Sequence, residues 1–87
     1  MSETVRCWLV ERDVGDEDVV TLVYATTDGE RFFKRQLASN MLFTMDVTAG
    51  LAVPVEDLEP VRDEADRERY AREAQRVATA HDPADVV

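Results

Sequence analysis

The alternation of apolar and polar residues at the start of the chain predicts a β-strand over residues 4–12. Apolar side chains fall on both faces of this strand, which is typical of a strand that is central in its sheet or covered by a partner. They are Val5, Cys7 and Leu9 on one face and Trp8 and Val10 on the other. Residues 13–18 contain a glycine and four acids, which predicts a turn that ends the strand.

Two more strands are predicted next, joined by a tight turn. Residues 19–26 are dense in β-branched and aromatic side chains and give the strongest strand pattern in the chain. Asp28 and Gly29 supply the positive φ angles of a tight hairpin, so residues 30–37 are expected to return antiparallel to the preceding strand. The first three strands therefore form a meander.

The middle of the chain has a weaker pattern. Residues 38–50 mix helix formers with aromatic side chains, which predicts a short helix or an irregular turn, capped by Ser39 and ended by Gly50. Residues 51–55 are apolar but include Pro54, which lacks a backbone donor, so this segment is expected to be an edge strand. The five residues that follow are expected to be a link.

A long helix is predicted near the C-terminus. Asp63 can cap a helix with an acidic first turn that runs to about Ala80 and stops before Pro83. The residues on one side of this helix are expected to pack against the sheet: Tyr70, Ala74, Val77, Ala78 and His81. Those on the other side alternate in charge and favour ion pairs: Arg62, Asp66, Arg69, Glu73 and Arg76.

These elements predict one α+β domain over residues 1–81, with a three- or four-stranded antiparallel meander sheet and one long C-terminal helix across a face. A chain of 87 residues leaves no room for a second core. Residues 82–87 have no cap or stop signal of their own and are expected to be a frayed tail.

Charge and composition exclude several classes of protein. The chain has 19 Asp and Glu residues against 10 Lys and Arg, and the formal net charge of -9 excludes a generally basic nucleic-acid binder. No apolar run is long enough to span a bilayer, and the first residues lack the order of a secretory signal. We therefore expect a cytoplasmic protein that makes no membrane contact.

The acidic excess also indicates an environment. A GC-rich genome explains why Lys34 is the only lysine and why isoleucine is absent, but it does not explain the acids. In molar salt the Debye length is only ~3 Å, so repulsion among carboxylates is screened while their hydration remains. These features favour a salt-adapted surface, and the alternative is an ordinary acidic protein from a GC-rich organism.

The stretches Leu22–Arg31 and Val55–Val61, together with this composition, resemble small uncharacterised acidic proteins of salt-loving archaea, the haloarchaea. The resemblance spans roughly residues 4–80. It implies a salt-rich cytoplasm and no known activity.

Residues with catalytic or metal-binding chemistry lack the motifs that such sites require. His81 lies at the expected end of the helix, and Cys7 lies inside a strand, so both are interpreted as structural. The single Cys and His cannot supply a structural zinc site, and the three glycines are isolated at turns rather than in a phosphate-binding loop. Four acids do not fit the spacing of a calcium loop and are interpreted as a solvated turn: Asp13, Asp16, Glu17 and Asp18. We expect no enzymatic activity, no metal and no cofactor.

The span from Arg31 to Met45 contains no acid, although acids are frequent elsewhere in the chain. It carries three basic residues beside two phenylalanines: Arg31, Lys34 and Arg35 with Phe32 and Phe33. The interpretation that we favour for this span is a protein interface. The alternatives are charges balanced across the hairpin with Phe32 in the core, and a nucleic-acid site, because basic residues next to aromatics can clamp phosphates and stack bases.

The function expected from these features is that of a small non-enzymatic protein-binding or interaction module. One alternative is a nucleic-acid-associated regulator that uses Arg31, Lys34 and Arg35, and another is an accessory subunit of an enzyme. Because one helix covers one face of a sheet, we expect a homodimer that covers the other face. The interface candidates are Trp8, Val10, Phe33, Met41, Leu42 and Phe43.

The charge of -9 predicts that the protein becomes more stable as salt increases, because salt screens the repulsion among its carboxylates. We expect the melting temperature, followed by circular dichroism, to rise between about 0.1 and about 3 M KCl. A flat or falling melting temperature would contradict the salt-adapted interpretation.

Overall fold

The computed structural model describes residues 3–15, 18–43 and 46–87, with the backbone alone at residues 42–43. Over these residues the chain forms five β-strands, two 3-10 turns and one α-helix. The strands are β1 (Thr4–Val14), β2 (Val19–Ala25), β3 (Arg31–Ala38), β4 (Gly50–Pro54) and β5 (Glu59–Pro60). The 3-10 turns span Ser39–Phe43 and Val55–Asp57, and the helix α1 spans Glu64–Ala80.

The strands form one antiparallel sheet in the order β4-β1-β2-β3-β5 across the described residues. The α+β class, the central meander β1-β2-β3 and the edge position of the Pro54 strand are confirmed. The predicted count of three or four strands was wrong, because β5 lies in the expected link and pairs with β3. Gly50 begins β4 and does not end a helix. A two-residue strand that contains Pro60 has no period to detect.

The turn between β2 and β3 is held by side-chain hydrogen bonds. The Thr26 hydroxyl is buried, donates to the Asp28 carboxylate at 2.5 Å and accepts from the Arg31 N–H at 3.3 Å. This hydrogen bond from Thr26 lowers the pKa of Asp28, and the charge of Arg31 contributes in the same direction. Gly29 has a φ of 71°, as predicted, whereas Asp28 lacks the positive φ that was expected of it. The Asp28 carboxylate instead accepts hydrogen bonds from the Thr26 hydroxyl and the Glu30 N–H within the turn.

The helix packs on one face of the sheet. Its N-terminus is capped by Asp63, whose carboxylate accepts from the Asp66 N–H at 3.2 Å, as predicted. Ala74 and Val77 pack on the buried Trp8, and Tyr70 and Ala78 are partly buried, which confirms the predicted packing side except at His81. The side chain of His81 is exposed at the end of the helix. No helix in the described part of the chain is long and apolar enough to cross a membrane.

The opposite face of the sheet carries the larger cluster of buried side chains. Its members are Cys7, Val20, Leu22, Tyr24, Leu37, Val47 and Val53. The chain covers this face itself, because the path from β3 to β4 must pass over β1 and β2. The Tyr24 hydroxyl donates to the Thr48 carbonyl at 3.3 Å, which places that path on the face with this cluster. We call this face the inner face.

The connection between β4 and β5 requires the sheet to curl. These strands lie at opposite edges, and residues 55–58 join them. In a flat sheet the edges would be ~19 Å apart, whereas a 3-10 turn advances only ~2 Å per residue. The edges therefore approach each other around the inner face, and Leu58 of the connection packs against its cluster.

The last residues pair with the segment before β4. The Ala49 and Gly50 N–H groups donate to the carbonyls of Asp85 and Pro83, at 2.8 and 3.0 Å. The Val87 N–H donates to the Val47 carbonyl at 2.9 Å. The expected frayed tail thus has backbone partners in the structure, and no local cap signal could indicate them because the partners lie far away in the sequence.

Replacing Gly29 with alanine should destabilise the protein strongly. A positive φ costs a residue with a side chain about 1–2 kcal/mol. In addition, a Cβ at Gly29 would collide with the Arg67 carbonyl and lie 2.9 Å from the Ala71 nitrogen. We expect a clear loss of unfolding free energy in urea titrations. The control is Gly15→Ala, whose Cβ would lie 3.4 Å from its nearest neighbour. An equal loss in both variants would contradict close packing of the hairpin on α1.

Candidate functional site

The acid-free span occupies β3 and the 3-10 turn after it, over the part that the structure describes. Directly opposed residues of an antiparallel pair share a face. Arg35 is opposite Leu22 and therefore lies on the inner face, and Arg31 shares that face by alternation. Lys34 is opposite Val23 on the helix side. The structure therefore separates the three predicted basic residues onto two faces.

The two phenylalanines are separated in the same way. Phe32 lies on the helix side with its ring centroid 6.5 Å from that of Tyr70. Phe33 is opposite Tyr24 and packs against the inner-face cluster. Both rings are partly buried. The inner face therefore carries Phe33 between Arg31 and Arg35, and the helix side carries Phe32 beside Lys34. Each ring packs against other side chains of the protein, which leaves less of it open to stack on a nucleic-acid base.

Backbone hydrogen bonds at both ends of the β2–β3 pair show which residues of β3 face β2. The Thr26 N–H donates to the Arg31 carbonyl at 3.1 Å, and the Ser39 N–H donates to the Asp18 carbonyl at 2.7 Å. Because bonded and non-bonded pairs alternate in an antiparallel ladder, every second residue between these ends bonds to β2. These residues are Phe33, Arg35 and Leu37.

The intervening residues, Lys34, Gln36 and Ala38, direct their N–H and C=O groups toward the edge of the sheet. In the described structure β5 pairs only with the first two residues of β3. The three residues are exposed, and among the described residues no strand pairs with the outward backbone groups of Lys34 and Gln36 or with the outward N–H of Ala38. The Ala38 carbonyl begins the 3-10 turn Ser39–Phe43 and accepts its first i→i+3 hydrogen bond. Residues 34–38 therefore form an open edge, which we call the β3 edge. The sequence analysis missed it.

The other edge of the sheet is better covered. The Gly50 N–H of β4 donates to the Pro83 carbonyl, and Pro54 has no N–H to offer. Coverage by the C-terminal tail and a proline at the edge are two ways in which proteins prevent unwanted strand pairing. The β3 edge has neither over residues 34–38.

The positive charge beside this edge is not neutralised by contact within the described chain. The arginines that form ion pairs in the described chain lie elsewhere, on α1: Arg69 pairs with Glu11 at 3.2 Å, and Arg76 pairs with Glu73 at 2.8 Å. Burial raises the pKa of Tyr24, while Arg35 and Arg12 act in the opposite direction, so both guanidinium groups lie near its ring on the inner face. The edge thus carries the positive charges of Lys34 and Arg35, and the acid Glu59 of β5 lies opposite Phe32 at its start.

Among the six predicted interface residues, the four whose side chains the structure describes do not form one patch. Trp8 is 9% exposed beneath α1, and Val10 packs beside it, so the helix covers both and Trp8 belongs to the core. Phe33 packs against the inner-face cluster. Met41 is 46% exposed, and the side chains of residues 42–43, Leu42 and Phe43, lie outside the described part.

The residues with reactive chemistry lie apart. Cys7 is fully buried, which raises the pKa of its thiol, so it behaves as the small core residue that was predicted. His81 is on the helix side, with Nδ1 3.8 Å from the Asp85 carboxylate. Asp16 and Glu17 of the acidic turn lie outside the described residues. No group of three or more metal-ligating side chains occurs within the residues described.

An open cleft of about 350 Å³ lies between β5 and the start of α1. Phe32 and Tyr70 form its apolar part, and Asp63 and Asp66 are among its polar walls. The Asp63 carboxylate caps the helix, and Asp66 pairs with Arg69 at 3.1 Å. These carboxylates therefore stabilise the helix terminus.

Comparison with known proteins adds a family and nothing about activity. Residues 1–87 match the sequence profile of a family of unknown function, DUF7967. No curated protein and no solved structure matches the chain. Since the match covers the whole chain, the protein belongs to the DUF7967 family.

Proposed function

We propose that this protein is a small non-enzymatic protein-binding module that contacts its partner through β3. The observation that carries the proposal is the open backbone edge over residues 34–38, beside local positive charge. An unpaired strand edge is a template for pairing with another chain. An accessory subunit of an enzyme would use the same surface, because it too must contact a protein.

The positions of the basic residues favour protein over nucleic acid. A nucleic acid on one face would meet Lys34 alone or Arg31 with Arg35. A protein segment at the edge lies between the two faces, so it can contact Lys34 on one face and the two arginines on the other. The net charge of -9 also repels phosphates, and phosphate contacts weaken further in a salt-rich cytoplasm, where we propose that the protein functions.

The partner that we propose is a different chain. The homodimer was expected because a single helix covers a single face of a sheet. Here the curled sheet and the path through Val47 and Thr48 cover the inner face, so this reason for self-association no longer holds. The non-enzymatic assignment is supported by Cys7 and His81, which lie on opposite sides of the sheet within the described residues.

Light scattering tests the choice between a different partner and a second copy. We expect the monomer mass of 9.8 kDa at micromolar concentrations in both low and high KCl. A mass twice as large across that range would support the homodimer instead.

A photo-crosslinking amino acid at Gln36 tests whether β3 contacts a protein. In extract of the native organism we expect it to form an adduct with one discrete protein, and the same probe at Arg72 to form none. Arg72 is a matched control because it is exposed on α1, away from β3. Equal labelling from both positions would contradict a contact through β3.

Fluorescence anisotropy with labelled RNA and DNA tests the alternative. We expect no saturable binding at about 2 M KCl, since phosphate contacts weaken steeply with salt. Binding at that salt that disappears when Arg31, Lys34 and Arg35 are all changed to Gln would support the nucleic-acid regulator. A melting curve of the variant serves as the control for folding, because Lys34 is exposed but Arg31 and Arg35 are partly buried.

A further inference from the structure

We propose that the β3 edge binds an acidic, extended peptide segment as an added β-strand. This inference rests on the proposed function and names the class of partner. Its backbone basis is the row of outward N–H and C=O groups at Lys34 and Gln36, continued by the outward N–H of Ala38. These residues are two apart, so their groups recur every ~6.8 Å and match alternate residues of an incoming strand.

The position of β5 defines where the added strand ends. β5 already pairs with Arg31 and Phe32 at the start of β3. An incoming strand therefore continues the same edge beyond β5, over about five residues. Main-chain hydrogen bonds supply the affinity in this kind of recognition, and the side chains supply the specificity.

Charge selects an acidic partner. Side chains of an added strand alternate between the two faces, so some lie beside Lys34 on the helix side and others beside Arg35 on the inner face. Opposite charges on neighbouring strands stabilise the pairing, and like charges directly opposite each other destabilise it. A second copy that paired through the same edge would bring only positive charge to it, because residues 31–43 contain no acid.

The probe is a blocked, fluorescein-labelled hexapeptide in the order Glu-Glu-Val-Glu-Glu-Val, which places glutamates on both faces of the added strand. We expect saturable binding to the wild-type protein by anisotropy. The matched peptide with lysine in place of glutamate should bind at least about tenfold more weakly, because its charges repel those of the edge. N-methylation of alternate residues of the glutamate peptide removes donors while it keeps the charges, and should cost at least about tenfold. Absence of binding by the glutamate peptide overturns the inference.

The variant Gln36→Pro tests the edge from the side of the protein. Residue 36 is opposite Thr21 in a pair that makes no hydrogen bonds, so proline removes an outward donor and leaves the bonds between β2 and β3 intact. We expect Gln36→Pro to bind the peptide at least about tenfold more weakly, and Gln36→Ala, which keeps the donor, to bind like the wild type. Circular dichroism checks that both variants fold. If the proline variant does not fold, the methylated peptide still tests whether binding depends on backbone hydrogen bonds.

Amide hydrogen exchange gives an independent test of the binding mode. We expect the N–H groups of Lys34, Gln36 and Ala38 to exchange quickly in the free protein and to be protected when the peptide is bound. Two results would overturn the inference of an added strand. One is an affinity that neither Gln36→Pro nor N-methylation of the peptide changes, and the other is protection of N–H groups outside the β3 edge. A dimer that Gln36→Pro dissociates would also overturn it, by assigning the edge to a second copy.

Failure of this inference is separable from failure of the proposed function. If the peptide does not bind but the photo-crosslinker at Gln36 still captures one protein, β3 contacts its partner through side chains and the added strand is wrong. If neither the peptide nor a protein is captured, both proposals are wrong.

Discussion

The short connection between β4 and β5 determines the shape of the molecule. Residues 55–58 join strands at opposite edges of one sheet, so the sheet curls and closes around the inner-face cluster. Closure occurs where β5 meets the first two residues of β3. The rest of β3 extends past this junction. The open edge exists because β5, which follows the connection, is only two residues long and pairs with the start of β3 alone. The buried interior and the exposed backbone thus have a common cause.

Local signals in the sequence were enough for the meander and the helix. The Asp28-Gly29 turn and the Asp63 cap each act within a few residues, and the structure contains both. The features that were missed depend on pairing between distant segments. β5 has no alternation of its own, and the tail is held by backbone groups near Thr48, which no side-chain pattern encodes. A sequence pattern shows which face of a strand is apolar but not which segment covers it, so Trp8 was assigned to an interface.

The candidate site was predictable in part. Its unusual composition is visible in the sequence as a span without acids. The separation of Lys34 from Arg31 and Arg35 also follows from the two-residue period of a strand. The open edge does not follow from any local rule, because it depends on the length of a neighbouring strand. Positive side chains on an exposed strand discourage copies of the same chain from pairing, and a partner of opposite charge avoids that restriction.

The pairing of β4 with β1 has a consequence for how the chain folds. The two hairpins of the meander form between segments that are close in sequence, whereas Trp8 must find Gly50 across much of the chain. Contacts between distant segments carry a larger entropy cost of loop closure and form late. We therefore expect the inner face to be sealed late in folding, with Cys7 accessible until then. Its chemical reactivity during refolding reports when the sheet closes.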